Sequence, residues 1–310
     1  MSPVNPSFIG ADEFRRLIAP SDAREALAAA LAGPFDPETD PLRSSLTAST
    51  GAGELLSMPS TLGGWIGTKL ATVAPNNAEL GLPRIQGVYV LFDANTMSPQ
   101  CVIEASALTE LRTPAMSAVA VDKLAHPEAS SLLVIGSGPQ AVAHVHALAA
   151  IRPLTHIALR SRDTDSAERA IKSLREEGLP VTAAREGEQP DIIACCTSAS
   201  DPVIADEEVK DGACVVAMGS HSPVAREVPT SVITRSQVVI ESRATTLAEG
   251  GDVIIPINEG ALADSDLTTI KQLFDGSFIR DFQRPAVFKG TGMSWQDLAV
   301  AAFAAKKAGL

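Results

Sequence analysis

Four side chains and one glycine turn carry the means for chemistry in this chain. Lys69 lies in the run Trp65 to Val73, whose composition reads as a strand. An amine pointing inward there is taken out of water by Trp65, Ile66, Leu70 and Val73, which lowers its pKa and suits it to proton transfer near neutral pH. Gly67-Thr68-Lys69 is not a phosphate loop, because the spacing Gly-x-x-x-x-Gly-Lys-Ser/Thr is missing. Arg43, in the polar, loop-like stretch 34–53, and Arg112, just before Thr113-Pro114, can clamp a carboxylate through paired N–H donors; surface ion pairing is the other use of such arginines. His221, in Gly219-Ser-His-Ser-Pro223, follows an apolar strand. Loops at the carboxyl ends of parallel strands face a ligand crevice, although a lone histidine also serves as a solvated or structural residue.

The glycine turn is Gly136-Ser-Gly138-Pro139-Gln140-Ala141, preceded by the apolar run Leu132 to Ile135 and followed by a helical pattern. Gly136 allows a sharp turn, Gly138 leaves the backbone bare for a pyrophosphate, and Ala141 lets the helix pack close to the strand. Pro139 opens the helix without wasting an amide, and the unpaired amides and dipole of that end favour phosphates. Thr155 to Arg160 then completes a βαβ unit. Its end, Arg160-Ser161-Arg162, places two arginines where a 2′-phosphate would lie, so NADP(H) is expected over NAD(H). If Asp163 reaches back to a ribose hydroxyl instead, NAD(H) is restored.

The elements that must position these groups follow from the chain's patterning. Its 310 residues, 45% hydrophobic and 20% charged, suit about two globular domains. The net charge of −12 argues against a nucleic-acid surface, which needs a basic footprint. No apolar run reaches membrane-spanning length, and Met1 to Phe8 has no signal-peptide pattern, so a cytoplasmic location is expected. Residues 11–32 read as two helices split at Pro20, with Ser21 or Asp22 capping the second. Strands are expected at 65–73, 85–93 and 101–104, in an antiparallel arrangement. A helix is expected over 108–124, kinked or started at Pro114. From Ser131 strands (131–135, 155–160, 191–196, 213–218, 237–241) alternate with helices (139–151, 164–177 and a short one at 206–210), the pattern of a parallel sheet. Trp295 to Lys307 reads as an alanine-rich helix. The fold expected is α/β: a Rossmann-type parallel-sheet domain over 126–293, plus an α+β domain over 1–125 joined by the C-terminal helix, 294–310. Cys101, Cys195, Cys196 and Cys214 form no Cys-x-x-Cys pair and read as small buried hydrophobes. His144 and His146 diverge on a helix, so no metal site is expected.

Several motifs, in one order, carry a resemblance. They are Met58-Pro59, Gly67-Thr-Lys69, Pro75-x-Asn77, Gly81-Leu-Pro83, Gly87 to Asp93, Leu108-Thr-x-Leu-Arg-Thr113, Ile135 to Ala141, Gly250-Gly-Asp252 and Val287-Phe-Lys-Gly-Thr-Gly292. Together they make the chain resemble the ornithine cyclodeaminase/mu-crystallin family from about Met58 to Ala305. The resemblance implies a homodimer in which the N-terminal half and last helix bind substrate and dimerise. It implies hydride passage between nicotinamide and the α-carbon of a small imino or amino acid. It further makes Lys69 the catalytic amine, Arg112 and Arg43 the carboxylate ligands, and Thr197, Met218, Gly219 and Thr291 residues that line the cofactor.

Two departures bear on the reaction. Cyclodeaminases and archaeal alanine dehydrogenases of the family have Gly-x-Asp where this chain has Gly219-Ser220-His221, and ornithine-type members have glutamate where it has Leu56. The reading favoured is a reductase of a cyclic ketimine carboxylate such as Δ1-pyrroline-2-carboxylate, with His221 as a candidate helper. A cyclodeaminase or alanine dehydrogenase using His221 in the aspartate's place is the alternative, and a mu-crystallin-like dinucleotide-dependent binding protein is a third.

Overall fold

The computed structural model describes residues 5–310. By contact density the chain forms two compact units: residues up to Thr113 with Gly292–Leu310, and Pro114–Thr291. The change of unit comes at 113/114 rather than at the expected 125/126, and it lies inside one continuous helix, Ala105–Leu124. Pro114 neither starts nor ends that helix. Beyond it Ala115 to Val121 are all buried, and only Asp122 and Lys123 near its end are exposed, so no run of polar, exposed residues marks a linker at Pro114.

In the first unit six strands form one sheet: β1 (Ser7–Ile9), β2 (Ser44–Thr47), β3 (Glu54–Leu62), β4 (Trp65–Val73), β5 (Ile85–Asp93) and β6 (Pro99–Glu104). Their order is β1-β6-β5-β4-β3-β2, antiparallel except for the parallel β1–β6 pair. The stretch 34–53 is therefore not wholly loop-like, since it holds a 3₁₀ turn, Pro37–Thr39, and β2. β3 also escapes sequence reading because Pro59 argues against a strand. The proline is tolerated because β2 pairs only Glu54 to Ser57, leaving β3 an edge from Met58 onward. The N-cap of Pro20–Ala32 is Ala19, not Ser21 or Asp22. Pro20 takes the first helical position, and the Asp22 carboxylate accepts the Ala19 N–H (2.8 Å).

Register aligns five side chains across this sheet: Ile9, Ile103, Tyr89, Lys69 and Met58, all buried. Lys69 is the one charge in that row. The helix Ser294–Lys307 packs on β3, β4 and β5 and is buried from Ser294 to Ala302. Alanine suits such a helix, with high propensity and little bulk between helix and sheet.

In the second unit eight strands form a parallel sheet: β7 (Ser131–Ile135), β8 (His156–Arg160), β9 (Val181–Ala183), β10 (Ile192–Cys195), β11 (Cys214–Ala217), β12 (Gln237–Ile240), β13 (Leu267–Thr269) and β14 (Ala286–Lys289). The order is β13-β12-β14-β11-β10-β7-β8-β9. The five strands and two long helices expected here form, within two residues at each end; the third, at 206–210, is a single 3₁₀ turn, Asp206–Glu208. β9, β13 and β14 were not anticipated. β14 enters between β11 and β12 with only four residues, one of them the fully buried Lys289. The core joins Leu133, Ile193, Val215, Val238 and Val287, one from each central strand. Cys101, Cys195 and Cys214 are buried there and in the first sheet, and burial pushes the Cys101 thiol to about 11 and Cys214 to about 12. Among the described residues no helix is long and apolar enough to cross a membrane.

Candidate active site

In the first unit one carboxylate organises the cations. Asp297, in the first turn of Ser294–Lys307, is fully buried. Its Oδ2 accepts Lys69 Nζ (2.7 Å) and its Oδ1 accepts Arg112 Nε (3.1 Å). Arg112 Nη1 also donates to Gln296 Oε1 (3.0 Å), and Arg43 Nη2 donates to the Gly292 carbonyl (2.9 Å). The chain meets the Arg112 fork at Gly292, which has φ +80° and where a Cβ would lie 2.8 Å from Nη1. Lys69, Arg112 and Arg43 are thus gathered on one end of one helix. Asp297 itself was not found from the sequence. The lone acid of an alanine-rich helix is the signal that could have found it.

The electrostatics follow from burial. Lys69 is lowered from its ordinary range to about 8, first by burial and then by Arg112 and Arg43, while Asp297 opposes the fall. Burial pushes Asp297 up, but Arg112 and then Lys69 outweigh it and hold it below the ordinary carboxylate range. The helix N-terminus favours the same anion. Asp40, also buried, accepts Ser60 Oγ (2.6 Å) and the Trp295 N–H (2.9 Å), so it caps that helix from outside. Burial raises Asp40 to about 6, against those two hydrogen bonds. Beside Lys69 in register, the Tyr89 hydroxyl is buried without a hydrogen-bond partner. Its ring lies over Gly67, where a Cβ would come 2.5 Å from Oη; any larger residue at 67 would displace it.

In the second unit the glycine turn has the expected form. Gly136 sits at φ +121°, with Cys196 O only 2.6 Å from where a Cβ would be. A Cβ on Gly138 would meet nothing within 4 Å, so the backbone there is open. Pro139 opens the helix Pro139–Ala149 and Ala141 is fully buried against the strand. The Gln140 side-chain oxygen is buried without a partner, an acceptor placed at the turn. An open glycine backbone, a helix start and an orphaned acceptor fit a dinucleotide. Ser161 lies beside the turn, accepting a hydrogen bond from Ser137 Oγ (3.0 Å). Arg160 is engaged elsewhere: its guanidinium grips Glu208 (2.5 and 3.2 Å) and the Val203 carbonyl (2.9 Å). Arg162 is exposed, and Asp163 caps the helix Thr164–Glu176 by accepting the Ser166 N–H (3.0 Å).

The remaining expected residues lie on loops of this sheet. Thr197 and Gly219 follow β10 and β11, and both donate to Glu227; Thr291, past β14, donates its N–H (2.9 Å) and hydroxyl (3.1 Å) to Glu241. Met218 lies against Gly290, where a Cβ would be 2.1 Å from its sulfur. His221 is exposed on its loop. Glu227 and Glu241 were not singled out from the sequence, since glutamate is a poor marker of a buried position.

The family model of the ornithine cyclodeaminase/mu-crystallin family matches residues 19–308. The Delta(1)-pyrroline-2-carboxylate reductase of Bacillus cereus (strain ATCC 10987) is 33% identical over 97% of this chain and 96% of its own. Among solved structures, the Thermococcus litoralis Delta(1)-pyrroline-2-carboxylate reductase in complex with NADH and L-proline has a TM-score of 0.91 at 24% identity, covering 97% of each chain. An archaeal alanine dehydrogenase dimer with bound NAD has a TM-score of 0.91 at 23% identity, covering 98% of this chain and 96% of the other. A glycine turn opening a parallel sheet, a buried lysine on an antiparallel one, and a match over nearly the whole length lead to one assignment: the chain belongs to the ornithine cyclodeaminase/mu-crystallin family.

Proposed function

We propose that this protein is an NAD(P)H-dependent reductase of a small cyclic ketimine carboxylate of the Δ1-pyrroline-2-carboxylate kind, yielding a cyclic amino acid. The carrying observation is the buried Lys69–Asp297–Arg112 cluster, in which a lysine with pKa about 8 shares one carboxylate with an arginine. The near-full-length likeness to the Bacillus cereus reductase supports the same reading. Arg112 and Arg43 hold the ring carboxylate, which fixes the imine carbon and nitrogen. A bound nicotinamide supplies the hydride that the imine carbon accepts. Lys69 gives a proton to the ring nitrogen from Nζ, and a protonated imine is the better hydride acceptor. Asp297 is the positioning residue that keeps Nζ aimed and charged. His221, exposed on its loop, is a candidate helper in that proton transfer.

In this reading Gly136, Gly138, Pro139, Gln140 and Ala141 take the pyrophosphate, and Thr197, Met218, Gly219 and Thr291, on the loops after β10, β11 and β14, line the cofactor. A preference for NADP(H) rests on Ser161 and Arg162, since Arg160 is committed to Glu208. The fold relatives with NADH and NAD favour the other cofactor. A homodimer is in keeping with the apolar surface of the first unit, where Leu46 and Leu55 stand opposite each other and exposed, Leu42 is exposed just before β2, and Leu80 and Leu82 are exposed between β4 and β5.

The test is oxidation of NADH and of NADPH against five- and six-membered cyclic ketimine carboxylates, beside ornithine and alanine with NAD⁺. Imine turnover is expected, and Lys69→Ala should lower it roughly 100- to 10,000-fold while dinucleotide binding persists. Ammonia release from ornithine or alanine without imine turnover overturns the proposal. So does dinucleotide binding with no turnover of any imine.

A further inference from the structure

One side chain ties together two loops at the carboxyl ends of the parallel sheet. Thr197 donates its N–H (2.8 Å) and hydroxyl (2.7 Å) to Oε1 of Glu227, and Gly219 donates its N–H to Oε2 (2.6 Å). The loops touch backbone to backbone: a Cβ on Gly219 would fall 1.9 Å from the Thr197 carbonyl oxygen. Behind Glu227 stands a second carboxylate. Asp252 Oδ1 accepts the N–H groups of Glu227 (2.7 Å) and Val228 (2.9 Å), and Lys289 Nζ lies 2.9 Å from Asp252 Oδ2. Glu227, Asp252 and Lys289 are all fully buried. Three buried charges are a costly way to stabilise a sheet, since apolar side chains of equal volume do so at least as well. What such a network does provide is one fixed arrangement of the groups it bonds.

We infer that Glu227 is a positioning residue for the dinucleotide. Its carboxylate clamps the loops of Thr197 and Gly219 in the arrangement against which the cofactor binds, and the Asp252–Lys289 pair holds Glu227 in place. The inference rests on the reductase reading above, because it needs a dinucleotide to bind this sheet. Glu227→Gln keeps the side chain's shape but turns one acceptor oxygen into a donor. That donor must face either Gly219 N–H or the Thr197 pair, leaving a buried donor unmet.

The measurement is NADH and NADPH affinity by fluorescence titration on the full-length protein, with amide hydrogen exchange at 196–199 and 218–220. Glu227→Gln is expected to weaken dinucleotide binding by roughly 5- to 100-fold, to raise the KM for dinucleotide more than that for imine, and to speed exchange at both loops. If Glu227→Gln does not fold, Glu227→Asp, which keeps the charge but cannot span both loops, carries the same expectation. A folded variant with affinity within twofold of wild type, or unchanged exchange at both loops, overturns the inference. Wild-type protein that binds neither dinucleotide defeats the reductase reading instead.

Discussion

Replacing Asp297 by asparagine tests the centre of the mechanism. The substitution keeps the shape and removes the negative charge shared by Lys69 and Arg112. Asp297 is the one group that holds Lys69 up, while burial, Arg112 and Arg43 all push it down. An opposite charge at hydrogen-bond distance is worth roughly 1 to 3 pKa units. Without it the Lys69 amine falls from about 8 toward roughly 5 to 7. At pH 7 the protonated fraction then drops from about nine-tenths to between about one-half and one-hundredth. If Lys69 is the proton donor, reduction at pH 7 slows by roughly 2- to 100-fold. The high-pH limb of kcat/KM moves down by the same 1 to 3 units, approximately. Arg112 keeps its charge and loses a buried partner, so a stability loss of up to about 3–5 kcal/mol accompanies the change. The assay is imine reduction from pH 5 to 9 for both proteins, at a temperature where both are folded. A folded variant whose high-pH limb stays at the wild-type position refutes the assignment of Asp297 as the group that sets the Lys69 proton.

Other perturbations separate the second unit's parts. His144 is fully buried, with Nδ1 2.7 Å from the Gln140 carbonyl and Nε2 2.8 Å from Ser117 Oγ, and burial lowers it to about 4. The carbonyl can only accept, so Nδ1 carries the proton and Nε2 accepts from Ser117. Because the folded pKa lies below the ordinary 6.5, this site's stabilisation is present above about 6.5 and is lost as pH falls toward about 4, up to about 3 kcal/mol. His144→Gln, followed by denaturant melts at pH 7 and 4.5, should show a smaller acid loss than wild type; an equal loss removes His144 from the account. Gly136→Ala forces a side chain into φ +121° and against Cys196 O, and should cost about 1–3 kcal/mol in unfolding free energy. Gly138→Ala meets open space and should leave the melting temperature alone while weakening dinucleotide binding; a loss of stability equal to that of Gly136→Ala contradicts the reading of the turn. Arg162→Ala should raise the KM for NADPH at least several-fold and leave that for NADH unchanged, and equal effects on both would remove the 2′-phosphate role.

Local features were legible in the chain itself. The glycine turn could be read because φ, close packing and a helix start depend on residues a few positions apart, and Gly136, Pro139 and Ala141 occupy the places their types suggest. Lys69 could be singled out because it is the one charge in an apolar strand, but the neighbours that bury it are distant ones: Ile66 and Leu70 alternate to the other face, and Met58 and Tyr89 flank it from adjacent strands. The tertiary structure decided what these groups face. Asp297 meets Lys69 across 228 positions of sequence, and no local pattern joins them. Arg160 looked like a phosphate ligand by its place at a strand end, but Glu208, 48 positions on, takes its guanidinium. Lys289 of β14 lies buried in the middle of a sheet, and Asp252, 37 positions earlier, meets its Nζ at 2.9 Å. Side-chain type and near spacing set backbone conformation, whereas the pairing of buried charges is set by which distant elements fold together, and that pairing determines which of the candidate groups remain for chemistry.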